Sequence, residues 1–307
     1  MHRDNPVEGD SMRQLQADFS DPRCTQPVDF AEYDAPEQLV NILEERGFAV
    51  VTMPDPGPPD ATLISLAAAL RLGNPYIPAL YRYAETKDYS AAYSHIRGDT
   101  EDRHPGFSTT AGQAWHVDGL LDNIGDIRTT ILYCVRAAHR GGETLLFNSL
   151  AAFAELRETD PAAAEALLSP RALNRRSTLP AIDVSTTGPV FAVDEAGNLL
   201  SRYTDNDTCT WNFSAGPPGG LGRALAFLRS ASDNPRYRLA VRLAPGEALI
   251  FRNDRLSHGR RPYEDRPKAR RHLVRALYAK VPTCHPNEPG PRLRTSRRPA
   301  GTASPAP

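Results

Sequence analysis

The chain lacks most of the features that settle a protein's class by composition. It has four cysteines in 307 residues: Cys24, Cys134, Cys209 and Cys284. They are widely spaced with no CxxC, which excludes a disulfide framework and suits a reducing compartment. There is no charge excess either: 36 Lys and Arg against 37 Asp and Glu leave a formal net charge of −1. The footprint of a general polyanion binder is absent. No apolar run approaches the length of a membrane span, and the polar start, Met1-His2-Arg3-Asp4-Asn5-Pro6, has no apolar signal core. The expected location is therefore cytoplasmic, with neither nucleic acid nor membrane as a partner. No internal repeat is visible.

Proline, by contrast, is abundant. The 28 residues exceed average usage of roughly 5%, and many fall between apolar runs, favouring short strands and loops. Hydrophobic residues at 40% and charged residues at 24% are ordinary for a globular chain. The spacing of Leu39, Ile42 and Leu43 after Asp34 and Pro36 predicts a helix that Gly47 ends, followed by a strand over 48–53. A second helix starts at Asp60 and stops near Gly73. Residues 74–112 show little periodicity, and so long a loop in a compact domain is often functional. Its tyrosines, Tyr76, Tyr81, Tyr83, Tyr89 and Tyr93, suit either a lid or core packing. Further on, strands are expected over 129–135 and 143–147, then a helix capped by Asn148 or Ser149. Residues 170–220 alternate short strands and turns, with a hairpin about 194–198. A helix over 222–232 and strands over 237–243, 248–251 and 273–280 complete the pattern. Segments 1–28 and 285–307 read as loosely ordered, leaving 29–284 as a single domain.

The most informative residues are Trp115-His116-Val117-Asp118-Gly119. On an extended chain, residues i and i+2 share a face, so His116 and Asp118 present an imidazole and a carboxylate together. Far downstream lies Asn253-Asp254-Arg255-Leu256-Ser257-His258-Gly259-Arg260. If His258 joins the pair, two His and one carboxylate occupy one face of a metal with the other positions open. That is the ligand set of mononuclear non-haem Fe(II) oxygenases. By itself His-x-Asp is a weak signal, because a lone histidine is usually structural.

Other segments stand in a fixed order around these: Arg46-Gly47-Phe48, Gly141-Gly142-Glu143-Thr144, Pro245-Gly246-Glu247, and Arg271 through Arg275. With them the chain resembles the taurine dioxygenase-like group of Fe(II)- and 2-oxoglutarate-dependent oxygenases over residues 35–280. Ser257-His258-Gly259-Arg260 leans toward the clavaminate synthase-like amino-acid hydroxylases. The resemblance implies a mixed, mainly β fold: a double-stranded β-helix (jelly-roll) core with flanking α-helices. It implies His116, Asp118 and His258 as ligands of Fe(II), O2 as oxidant, and Thr144 with Arg271 on the distal carboxylate of 2-oxoglutarate. A guanidinium grips a carboxylate through paired hydrogen bonds, which suits that role. Arg270 is the neighbouring alternative to Arg271. Arg275 is placed near substrate or cosubstrate, and Arg202, Tyr203 and Asp205 in a segment that approaches the active site. Trp115 is expected as a core anchor, while His95, His104, His139, His272 and His285 are not expected as ligands.

The implied activity is hydroxylation of a C–H bond in a small amino acid or related carboxylic acid, with succinate and CO2 as coproducts. Asp118 argues against a halogenase, which has a small residue at that position. A sulfonate-type dioxygenase is the alternative within the class. A jelly-roll binding protein without turnover is the alternative outside it, and the three intact ligands count against that. A nucleic-acid-acting oxygenase is disfavoured by the near-neutral charge. The oligomeric state is left open.

Overall fold

In a computed structural model of the chain, the described residues are 18–55, 57–82, 92–98, 109–179 and 182–284. Segments 1–17 and 285–307, together with Tyr83, Tyr89, His104 and His285, lie outside them. The core is two facing sheets. The larger has six strands in the order Val28–Asp29, Phe48–Thr52, Glu247–Arg252, Thr129–Arg136, His272–Tyr278 and Ser94–Ile96. The smaller has four, in the order Arg238–Val241, Thr144–Phe147, Ser257–Arg260 and Gln113–His116.

Alternation along the strands decides what each side chain meets. In the larger sheet Phe48, Val50, Leu132, Cys134, Leu249, Phe251 and Leu273 turn inward, to meet Leu146 and Val241 of the smaller one. Their neighbours Ala49, Val51, Ile131, Tyr133, Ala248 and Ile250 turn outward, under helices Ala35–Arg46 and Pro59–Ala69. Phe147, next to inward-facing Leu146, packs under helices Ser149–Thr159, Pro161–Leu168 and Gly220–Ala231. Helices thus cover both outer faces of a jelly-roll core, as the resemblance implied.

Local signals explain the boundaries. Gly47 ends the first helix at φ 79°, a left-handed conformation that costs glycine little. Asn148 caps the 149–159 helix by accepting from the Ala151 amide. Asp160 caps the next helix in the same way, an element the apolar pattern had not separated from its neighbour. Strand Ser94–Ile96 also falls in a stretch without periodicity; it exists because it pairs with Leu273–Arg275 at the sheet edge. Within the described part of the segment expected to be loose, from Asp18 to Val28, the side chains of Phe19, Cys24 and Val28 are buried. Phe19 sits edge-on to Phe48 with centroids 5.1 Å apart, and Val28–Asp29 extends the sheet in parallel. Among the described residues, no helix is long and apolar enough to cross a membrane.

Candidate active site

His116 ends one strand of the smaller sheet, and antiparallel pairing sets it opposite His258, with ring centroids 4.1 Å apart. Two residues after His116, the Asp118 carboxylate reaches to 3.7 Å from His258 Nε2. One potential ligand atom from each residue lies within 4.8 Å of the other two. The expected i, i+2 pair and its distant third member do come together.

Asp118 is fixed from every direction. Its amide donates to Asn253 Oδ1 at 2.8 Å, and Asn253 Nδ2 returns a bond to its carbonyl at 3.3 Å. Thr130 donates to Oδ2 at 2.9 Å and Arg275 Nη1 to Oδ1 at 2.5 Å. Arg275 Nη2 donates in turn to the Tyr81 hydroxyl at 2.9 Å. Asp122 orders the loop that carries Tyr81, accepting from the Tyr76 hydroxyl at 2.8 Å and the Ala79 amide at 3.1 Å. On the other side, Arg175 donates to the Val117 and Gly119 carbonyls at 3.0 and 3.1 Å, bracketing Asp118.

Electrostatics hold these groups in the protonation states that a metal requires. Burial pushes both imidazoles down, His258 to about 3, with His116 adding to the shift at His258. Burial alone would raise Asp118, but Arg275 and the two imidazoles outweigh it and hold the carboxyl at about 2. His116 Nδ1 donates to the Ala114 carbonyl at 2.9 Å, leaving the Nε2 lone pair for a metal. Two neutral imidazoles and one ionised carboxylate, clustered and buried, fit Fe(II).

The cluster opens onto a cavity of about 350 Å³, with His116, Asp118 and Arg275 in its wall beside Tyr81, Arg175, Asn206, Asp207 and Thr208. Thr144 and Arg271 lie elsewhere, lining a pocket of about 10 Å³ between the sheets. Thr144 pairs with Arg260, two residues along from the pairing of His258 with Leu146, so it shares their inward face. Arg271 is buried while Arg270 is exposed, which separates the two alternatives physically. A bulge at His272 and Leu273 interrupts the strand between Arg271 and Arg275. Arg271 Nη1 has no acceptor among the described residues.

The remaining candidates divide. Arg275 is on the cavity wall, bound to Asp118 and Tyr81. Arg202 is buried. Asp205 is turned to the surface helix, where Arg229 binds it at 2.8 and 3.0 Å. Trp115 packs on Phe147 at 5.6 Å, as a core anchor should. Sequence reasoning missed Arg175, Asn253 and Thr130. Asn253 lay within a recognised segment, but Arg175, in Leu173-Asn174-Arg175-Arg176, looks like any polar strand residue.

Comparison with known proteins bears on this arrangement. Residues 12–277 match the family described as Taurine catabolism dioxygenase TauD, TfdA family. The chain is 76% identical over 271 residues to a uridine-5'-phosphate dioxygenase from Amycolatopsis sp, covering 88% of this chain and 98% of that one. It is 41% identical over 252 residues to a uridine-5'-phosphate dioxygenase from Streptomyces sp, covering 80% and 90%. In fold it resembles the non-heme iron oxygenase OrfP in complex with Fe and alpha-ketoglutaric acid, at TM-score 0.58 and 18% identity, over 90% of this chain and 92% of that one. With its two histidines and one carboxylate gathered beside the cavity, the chain belongs to the TauD, TfdA family and is a non-haem Fe(II)- and 2-oxoglutarate-dependent dioxygenase.

Proposed function

We propose that the substrate is uridine 5′-phosphate, oxidised at an iron held by His116, Asp118 and His258, with Thr144 and Arg271 on the distal carboxylate of 2-oxoglutarate. The observation that carries this reading is the 76% identity to a uridine-5'-phosphate dioxygenase across 98% of its length. The cavity suits such a ligand: a wall with Arg175, Thr178, Asn206, Asp207 and Thr208 offers donors to a phosphate and acceptors to ribose hydroxyls and the base. Iron(II) with 2-oxoglutarate and O2 supplies the power to break a C–H bond, with succinate and CO2 as coproducts.

The residues divide the remaining work. Arg275 and Thr130 hold the Asp118 carboxylate ionised and in one orientation. Asn253 fixes the backbone that carries it. Arg271, with a free Nη1 and the Thr144 hydroxyl in the same small pocket, would orient the cosubstrate away from the substrate cavity. Leu80, Leu120 and Leu179 add apolar surface to the cavity, limiting water beside the reacting bond. The free thiols Cys24, Cys134, Cys209 and Cys284 suit a cytoplasmic setting.

A free amino acid is the second reading, favoured by Ser257-His258-Gly259-Arg260. Succinate release separates the two. Uridine 5′-phosphate should drive turnover well above the substrate-free rate, while amino acids and a sulfonate leave it at background. Turnover with an amino acid and none with the nucleotide would overturn the proposal.

A further inference from the structure

Beside the metal centre lie two buried arginines with no carboxylate in direct contact, Asp118 and Asp122 acting on Arg175 only from a distance. Arg175 is 3% exposed and Arg202 4%, yet neither forms an ion pair among the described residues. Arg175 Nε and both Nε and Nη2 of Arg202 are buried without an acceptor. Their guanidiniums are close enough to repel. Cys209 is near both, but burial pushes its thiol up, so it offers no negative charge to either. Burying one unpaired cation is costly, and a second beside it costs more.

The fold makes room for the pair deliberately. Arg175 lies on a strand whose partner ends at Gly188, and a Cβ at Gly188 would come within 2.8 Å of Arg202 Nη2. Arg175 itself lines the cavity that holds His116 and Asp118. The small pocket of Thr144 and Arg271 does not include either arginine. An anion entering the large cavity would meet Arg175, which lines it; Arg202 does not line it and adds its positive charge from beside Arg175.

We propose that Arg175 and Arg202 form the recognition site for the substrate's phosphate monoester, Arg175 facing the cavity and Arg202 supplying the second positive charge. This rests on the reading of the substrate as a nucleotide. Thr178 brings a hydroxyl to the same wall, where it donates to a phosphate oxygen, while the Thr208 hydroxyl is held on Asn206 Oδ1 at 2.7 Å. Asp207, also on that wall, repels a phosphate and is left to accept from a hydroxyl or N–H of the nucleoside. The phosphate therefore sits toward Arg175 and the nucleoside toward Asp207.

Because Arg175 also holds the carbonyls on either side of Asp118, Arg202→Met is the cleaner test. Losing that second positive charge should raise KM for uridine 5′-phosphate about 10-fold, with KM for 2-oxoglutarate unchanged. Inorganic phosphate should compete with the nucleotide in the wild type and lose that effect in the variant. Calorimetric titration of the metal-free protein should show wild type preferring uridine 5′-phosphate over uridine, a preference that Arg202→Met abolishes. If Arg202→Met does not fold, Arg202→Lys takes its place, with the same signs and a smaller rise. An unchanged nucleotide KM in a folded variant overturns the proposal. So does a rise in the 2-oxoglutarate KM alone, which would give the pair to the cosubstrate. Were the wild type to bind uridine 5′-phosphate through Arg202 without oxidising it, the substrate reading would fail while the phosphate site stood.

Discussion

The metal ligands and the arginine wall are neighbours built on opposite principles. Both carboxylate oxygens of Asp118 and its amide are answered by groups of the chain's own: Arg275, Thr130 and Asn253 all bond to it. Around Arg175 and Arg202 three buried N–H groups have no acceptor among the described residues. A group that must keep one geometry is satisfied internally, because an unmet buried bond would let it move or cost stability. Groups meant to receive a ligand keep spare donors, and the ligand completes them. The same contrast runs into the small pocket of Thr144 and Arg271, where Arg271 Nη1 is also without an acceptor among the described residues.

The contrast is broken most severely at Asp118. Asp118→Ala should lower succinate formation by more than about 10³-fold and destabilise the fold by about 3–5 kcal/mol, since Arg275 is left buried without its carboxylate. Urea denaturation with steady-state kinetics would measure both, and a variant as stable as wild type would contradict the account of Arg275. Arg271→Gln should raise KM for 2-oxoglutarate about 10- to 100-fold and leave the nucleotide KM near its starting value. That is the mirror image of Arg202→Met.

Smaller effects sharpen the comparison. In the metal-free protein His116 and His258 are held neutral below the usual 6.5, His258 to about 3. Between those values the unfolded chain binds protons that the folded chain refuses, so their contribution is complete above 6.5 and lost as pH falls. Stability should therefore decline from pH 7.5 to 5.5, by up to about 1.4 kcal/mol per pH unit for each imidazole. A flat profile across denaturation midpoints would count against the neutral pair. Least affected should be Asp205→Asn. Its partner Arg229 has a side chain 56% exposed, so the change should cost about 0.2–1 kcal/mol, with both KM values unmoved.

How much of this was written in the sequence varies with the kind of signal. Strand and helix positions followed apolar patterning: helix 35–46 buries one face and leaves a periodic mark, while strand 129–136 is buried on both faces and reads as a continuous apolar run. The cluster of His116, Asp118 and His258 was legible because the order of its segments along the chain is distinctive. Arg175 was not. Its side chain is buried against the distant Val117–Gly119 segment, whose carbonyls it binds, and nothing in Leu173-Asn174-Arg175-Arg176 announces that contact. Asp205 erred in the other direction: it is near the site in sequence order, but its carboxylate was claimed by Arg229 on a helix about two dozen residues away. The edge strand 94–96 was hidden for the same reason as Arg175, being defined by its partner and not by its own pattern.

The central claim is that His116, Asp118 and His258 hold an iron whose open positions take 2-oxoglutarate. Anaerobic addition of Fe(II) and 2-oxoglutarate tests it most directly. A visible metal-to-ligand charge-transfer band should form in the wild type and be absent from folded His116→Ala. No band in the wild type, or the same band in the variant, would contradict the account.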